Sequence, residues 1–164
     1  MTGSAHRVRP CVAVAGPGRA TEAEAELARE VGALLARRGA VVVCGGLGGV
    51  MAACAEGAAA EGGVVVGLLP GRDRAAGNRH LTVAVATGLG ELRNGVLVTT
   101  CDALIAVGGS WGTLSEIALA LRAGRPVALL RGWPLDGAGF ADEAHRPVVV
   151  STPAEAVAAV LGPG

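Results

Sequence analysis

Seven short runs rich in β-branched residues alternate along this chain with five longer stretches of helical composition. Residues 12–15, 40–44, 63–69, 81–86, 103–107, 126–130 and 148–150 are the short runs. Several of them are apolar without alternation, the pattern of strands covered on both faces. Residues 21–38, 49–61, 91–100, 113–123 and 153–161 have helical composition. Strands that alternate with helices predict right-handed βαβ units. The expected fold class is therefore α/β, a three-layer, doubly wound, mainly parallel sheet of Rossmann-like type. No internal repeat, low-complexity tract or linker divides residues 1–164, so one domain is expected. Residues 132–146 are the loosest stretch and read as a surface excursion before the last strand.

The helix boundaries carry local signals. Thr21 followed by Glu24 has capping-box spacing, Glu22, Glu24 and Glu26 suit a positive helix end, and Arg37, Arg38 and Gly39 mark the stop. Leu27, Val31, Leu34 and Leu35 fall on one face of that helix. Arg122, Ala123 and Gly124 end the fourth helix in the same way. With two Trp, one Phe and no Tyr in 164 residues, the core must be built from Ala, Val and Leu in thin, close layers.

Charge and cysteine content narrow the function classes. Fourteen basic residues, all Arg, balance fourteen acids. A duplex-binding protein would usually carry a basic surplus, so no nucleic-acid partner is expected. No apolar run reaches the roughly 18 residues of a membrane span, and residues 12–15 are too short for a signal-peptide core behind His6, Arg7 and Arg9. Cys11, Cys44, Cys54 and Cys101 lie far apart without metal-ligand spacing. They read as small hydrophobes in a reducing cytoplasm, and no metal site is expected.

Glycines cluster immediately after three of the expected strands. The turns are Gly16-Pro17-Gly18, Gly45-Gly46-Leu47-Gly48-Gly49 and Gly108-Gly109-Ser110-Trp111-Gly112-Thr113. Any one of them is an ordinary tight connection. In a parallel sheet all three reach the same rim, where α/β folds bind ligands. Each opens a helix, and glycine lets backbone amides approach an anion at the positive helix end. A phosphate-bearing ligand is the natural guest. Neither the dinucleotide fingerprint nor the Walker sequence is present, and a chain without lysine cannot form the latter.

The residues between these turns resemble a known family. Gly45-Gly46-Leu47-Gly48-Gly49-Val50-Met51, followed by Gly62-Gly63-Val64-Val65-Val66-Gly67-Leu68-Leu69-Pro70-Gly71, resembles one signature block of the LOG ("possible lysine decarboxylase") superfamily. Gly108-Gly109-Ser110-Trp111-Gly112-Thr113-Leu114-Ser115-Glu116 resembles its second signature. Thr87-Gly88-Leu89-Gly90-Glu91-Leu92-Arg93-Asn94 matches a shorter branch that includes molybdenum cofactor carrier proteins. The resemblance covers about residues 12–130. It implies ligand contacts at Gly16, Gly45, Gly46, Gly48, Gly49, Met51, Arg93, Asn94, Gly108, Gly109, Ser110, Gly112, Thr113 and Glu116. LOG enzymes release a base and ribose 5-phosphate from nucleoside 5′-monophosphates, and their essential Arg and Glu match Arg93 and Glu116. Three departures favour the carrier branch: Asn94 beside Arg93, Gly108 and Ser110 in the second signature, and Ser115 before Glu116.

Three functions follow from these residues. The first is a binding or carrier protein for a phosphorylated, nucleotide- or pterin-like ligand, with no required cofactor and with molybdenum cofactor as the bound ligand that the resemblance implies. The second is a phosphoribohydrolase in which Arg93 and Glu116 are catalytic, Glu116 stabilising positive charge on the sugar. The third is a nucleotide-sensing module. Glu116 also reads as the partner of Thr113 in a helix-capping box, which needs no ligand. Trp111 suits either a flat ring or a subunit contact. Residues 70–80, with Arg72, Arg74, Asn78 and Arg79, form a loop expected to overhang the rim, and His80 is assigned no chemistry. Family resemblance also implies a homo-oligomer, a dimer or tetramer.

Overall fold

The computed structural model describes residues 8–135 and 146–164. His6, Arg7 and most of the expected surface excursion lie outside them. Seven strands form one sheet: β1 (Cys11–Ala15), β2 (Val41–Cys44), β3 (Val65–Leu69), β4 (Val83–Ala86), β5 (Ala103–Val107), β6 (Val127–Leu130) and β7 (Val148–Val150). Their order is β4-β3-β2-β1-β5-β6-β7 and every pairing is parallel. Five helices connect them: α1 (Glu22–Arg37), α2 (Val50–Ala60), α3 (Arg93–Thr100), α4 (Trp111–Arg122) and α5 (Pro153–Leu161).

The alternation of side chains along each strand sorts the core into two layers. Val12 and Val14 of β1, with Ile105 and Val107 of β5, pack under α1, α2 and α5. Ala13 and Ala15, with Leu104 and Ala106, pack under α3 and α4. The winding reverses between β1 and β5, so the chain leaves these neighbouring strands toward opposite faces of the sheet.

Most expected boundaries agree with the structure. Thr21 and Glu24 form the capping box at the start of α1, and Thr152 and Glu155 form a second at α5. Two differ. Residues 90–92 make a single 3₁₀ turn, so α3 begins at Arg93 rather than at residue 91. Helix α4 begins at Trp111, two residues before Thr113. Its cap is Ser110, whose side-chain oxygen accepts from the Thr113 amide at 3.2 Å. A serine with extended backbone ahead of the helix wins over a threonine already inside it.

Helices α1 and α2 touch backbone to backbone. A Cβ added at Gly32 would collide with the Cys54 carbonyl, and one at Gly57 with the Arg29 carbonyl. Two surface ion pairs, Arg29–Glu56 at 3.0 Å and Arg37–Glu61 at 2.6 Å, flank this contact. Gly95 in α3 meets nothing within 4 Å. Helix propensity favours alanine over glycine by about 1 kcal/mol, whereas overpacking costs about 1–3 kcal/mol or more. Gly57→Ala should therefore destabilise the protein by about 1–2 kcal/mol, and Gly95→Ala should stabilise it by up to about 1 kcal/mol. Urea unfolding of the two variants reads both signs, and a stabilised Gly57→Ala protein would contradict the backbone contact.

Candidate functional site

The three glycine turns follow β2, β1 and β5, which are neighbours in the parallel sheet, and therefore share one rim. A pocket of about 230 Å³ opens between them. The first turn contributes Gly16 and Gly18, the third Ser110, Gly112 and Thr113, and α3 with its preceding turn contributes Gly90, Glu91, Arg93 and Asn94. Ala15, Met51, Pro70 and Glu116 complete the wall.

The second turn is built differently from its neighbours. Gly45, Gly46, Gly48 and Gly49 do not line the pocket. A Cβ at Gly45 would collide with the Arg93 guanidinium, so this glycine leaves room for that side chain. Gly49 has φ +63° and lies against the Pro17 carbonyl, which accepts from the Val50 amide at 3.1 Å. The Gly46 carbonyl accepts from the Asn78 amide at 2.8 Å. Gly108 and Gly109 are also occupied. The Gly108 amide donates to the Leu130 carbonyl at 3.0 Å, and Gly109 carries the Trp133 ring, 2.6 Å from where its Cβ would lie.

Free donors remain at the start of α4. The first amides of a helix have no intrahelical partner. Ser110 satisfies that of Thr113, and the Leu114 amide reaches the Ser110 carbonyl at 2.9 Å. The Trp111 and Gly112 amides find no acceptor among the described residues. A Cβ at Gly112 would meet only the Ser110 hydroxyl, at 3.9 Å, so space lies open above the helix end.

Glu116 is the sixth residue of α4, below that opening. It is 7% exposed and makes neither a hydrogen bond nor an ion pair among the described residues. The expected capping box with Thr113 is overturned: the earlier helix start places Glu116 in the second turn, beyond the free amides. Burial pushes its carboxyl up to about 7, against the opposing pull of Arg93. Arg93 opens α3 and donates from Nη1 to the Leu68 carbonyl at 2.6 Å. Its Nε is buried without a partner, and burial lowers its pKa while Glu116 and then Cys44 raise it. Asn94 is 8% exposed and donates to the Ser115 hydroxyl at 3.0 Å, tying α3 to α4.

Other candidates stand outside the pocket. Trp111 is 79% exposed and meets Trp133 edge to face, with ring centroids 5.1 Å apart. In the 70–80 loop, Asn78 donates from its side chain to the Leu47 carbonyl at 3.0 Å and Arg74 to the Ala84 carbonyl at 3.0 Å. Those bonds pin the loop to its neighbours, and of its residues only Pro70 lines the pocket. Ala15, Gly18, Pro70, Gly90 and Glu91 are not among the expected ligand contacts, although Gly18 lies in the first glycine turn and Gly90 and Glu91 in the segment that resembles the carrier branch. Ala15 and Pro70 lie at or just after strand ends on the shared rim, the one signal that marks them.

Among the described residues no group of three His, Cys, Asp or Glu is placed to hold a metal ion, and no helix is long and apolar enough to cross a membrane.

Glu116 has a pKa above that of an unfolded chain, about 4.5, so folding favours its protonated form. Its contribution to stability is complete below 4.5 and is lost as pH rises through about 7. At 1.36 kcal/mol per pKa unit the loss approaches about 3 kcal/mol. Glu116→Gln should remove this part of the pH dependence and unfold at higher urea than the wild type at about pH 8. Equal slopes of stability against pH in the two proteins would contradict the burial of this carboxyl.

The chain matches the SLOG cluster4 family over residues 9–158. It is 46% identical over 120 residues to an uncharacterised protein of Archaeoglobus fulgidus, covering 73% of this chain and 79% of that one. Its structure is similar to that of the molybdenum cofactor binding protein of the phototrophic bacterium Rippkaea orientalis, with a TM-score of 0.82 and 36% identity, covering 90% of this chain and 92% of the other. It is equally similar to the molybdenum cofactor carrier protein of Chlamydomonas reinhardtii, with a TM-score of 0.83 and 34% identity, covering 93% and 96%.

Proposed function

The chain belongs to the SLOG cluster4 family, and from that premise we propose that it is a binding or carrier protein for a small phosphorylated, nucleotide- or pterin-like ligand. The observation that carries this reading is the start of α4. Two amides without an acceptor among the described residues stand at a positive helix end, where Gly112 lines an open pocket that also holds one guanidinium, Arg93. That arrangement suits a single phosphate group. Molybdenum cofactor is the cargo that the similar carrier proteins support.

One observation favours a second reading. Glu116, released from any cap and close to half-ionised at neutral pH, is available to a ribosyl transition state, as in a phosphoribohydrolase. The reading further places the protein in the cytoplasm, supported by four unpaired cysteines. It also includes self-association. Val83 and Val85 of β4, Leu92 of the turn before α3 and Val96 of α3 stay exposed, and a second copy would cover such apolar side chains.

Incubation with AMP and GMP separates the two readings. A carrier binds these probes and releases no free base or ribose 5-phosphate. Turnover that disappears in Glu116→Ala would establish the hydrolase instead. Gly112→Val should fold normally, because nothing crowds that position, and should weaken phosphate binding at least about tenfold by filling the space above the free amides. Protein isolated from a cofactor-producing host should carry molybdenum and pterin, and protein that stays free of both after exposure to cofactor would remove that cargo.

A further inference from the structure

Two groups of opposite charge line the inner part of the pocket without pairing. No Arg93 nitrogen lies within 4.0 Å of a Glu116 oxygen, yet each shifts the other's pKa. Glu116 has no hydrogen-bond donor among the described residues, and Arg93, whose unpaired Nε is sealed from the pocket, can meet a ligand only through its Nη nitrogens. Buried polar groups left in this state are costly. The nearby Asn94 side chain donates to the Ser115 hydroxyl and not to Glu116. A ligand that satisfies both charges must offer hydrogen-bond acceptors next to hydrogen-bond donors along one rigid edge.

Resting on the phosphate-ligand reading above, we propose that Arg93 and Glu116 are specificity-determining residues that together read the 2-amino-4-oxo edge shared by guanine and pterin rings. A guanidinium pairs well with the adjacent acceptors O6 and N7 of guanine, for which pterins present O4 and N5. A carboxylate accepts from the adjoining ring N–H and 2-amino group, in the forked arrangement that carboxylates favour. Adenine fails at both points. Its amino group turns a donor toward the guanidinium, and its unprotonated N1 turns a lone pair toward the carboxylate.

Depth along α4 orders the ligand. Gly112 lies at the exposed helix end, and Glu116 lies one turn below, about 6 Å along the axis and almost wholly buried. The ring therefore enters first and the phosphate stays at the mouth, against the Trp111 and Gly112 amides.

Calorimetric titration at about pH 8, where the carboxyl is ionised, tests this with GMP, 6-hydroxymethylpterin monophosphate and AMP. Wild-type protein should bind GMP or the pterin at least about tenfold more tightly than AMP, and whichever leads identifies the source of the ring. Glu116→Gln replaces two acceptors by one acceptor and one donor, and that donor suits the unprotonated N1 of adenine. This variant should narrow the preference over AMP more than Glu116→Ala does, while Arg93 keeps part of that preference in both variants. A purely structural role would change every affinity by one common factor. Equal wild-type affinities, or an unchanged ratio in Glu116→Gln, would overturn the proposal. Guanosine and adenosine provide the separate control. Nucleosides that bind as tightly as their monophosphates would overturn the phosphate reading while the edge preference is still measured.

Discussion

The reversal of winding between β1 and β5 is the constraint on which the rest of the structure depends. Helix α1 leaves β1 toward one face of the sheet and α4 leaves β5 toward the other, as the two core layers record. Connections that diverge cannot cover the ends of the strands between them, and a crevice forms there. Small residues keep it narrow. Ala13, Ala15 and Ala106 let α3 and α4 lie close to the sheet, so the first turn of α4 reaches the crevice directly and the second turn carries Glu116 to its inner wall.

Glycine serves three different ends around this crevice. At Gly112 it leaves open space above free amides, the arrangement an anion needs. At Gly45 it makes room for a guanidinium from another element, so a turn that donates nothing to the pocket still fixes the charge within it. At Gly32 and Gly57 it brings two helix backbones into contact far from any ligand. A glycine-rich sequence therefore does not by itself identify a phosphate cradle. The identity of the neighbouring atoms separates these roles.

That distinction explains what the sequence made legible. The parallel, doubly wound sheet followed from unalternating strands of Val and Ala and from helix-end signals at Thr21 and at Arg37, Arg38 and Gly39, all local. The shared rim followed from topology. The convergence of Arg93 and Glu116 on one pocket was accessible only through family resemblance, because 23 positions separate them in the chain. The start of α4 was misjudged because Ser110 and Thr113 are both competent caps, and only backbone geometry decides between them. That two-residue difference carried Glu116 from a capping position to a buried and unpartnered one. The packing of the second turn against Pro17, Asn78 and Arg93 depends on long-range contacts that no local pattern encodes.

A buried carboxyl near a guanidinium usually forms an ion pair, and here it does not. The protein keeps the pair apart at a cost in stability, which gives the pocket two opposing influences on Glu116. A dianionic phosphate placed beside the carboxyl would drive it further toward the neutral form, whereas ring N–H donors would draw it toward the carboxylate. The end of the ligand that enters first therefore sets the charge of Glu116. A carrier and a ribosyl hydrolase built on the same residues would differ in that respect. Hydrolysis needs the carboxylate beside the sugar, free to answer charge that develops there, and a carboxylate held by a ring edge is no longer free to do so.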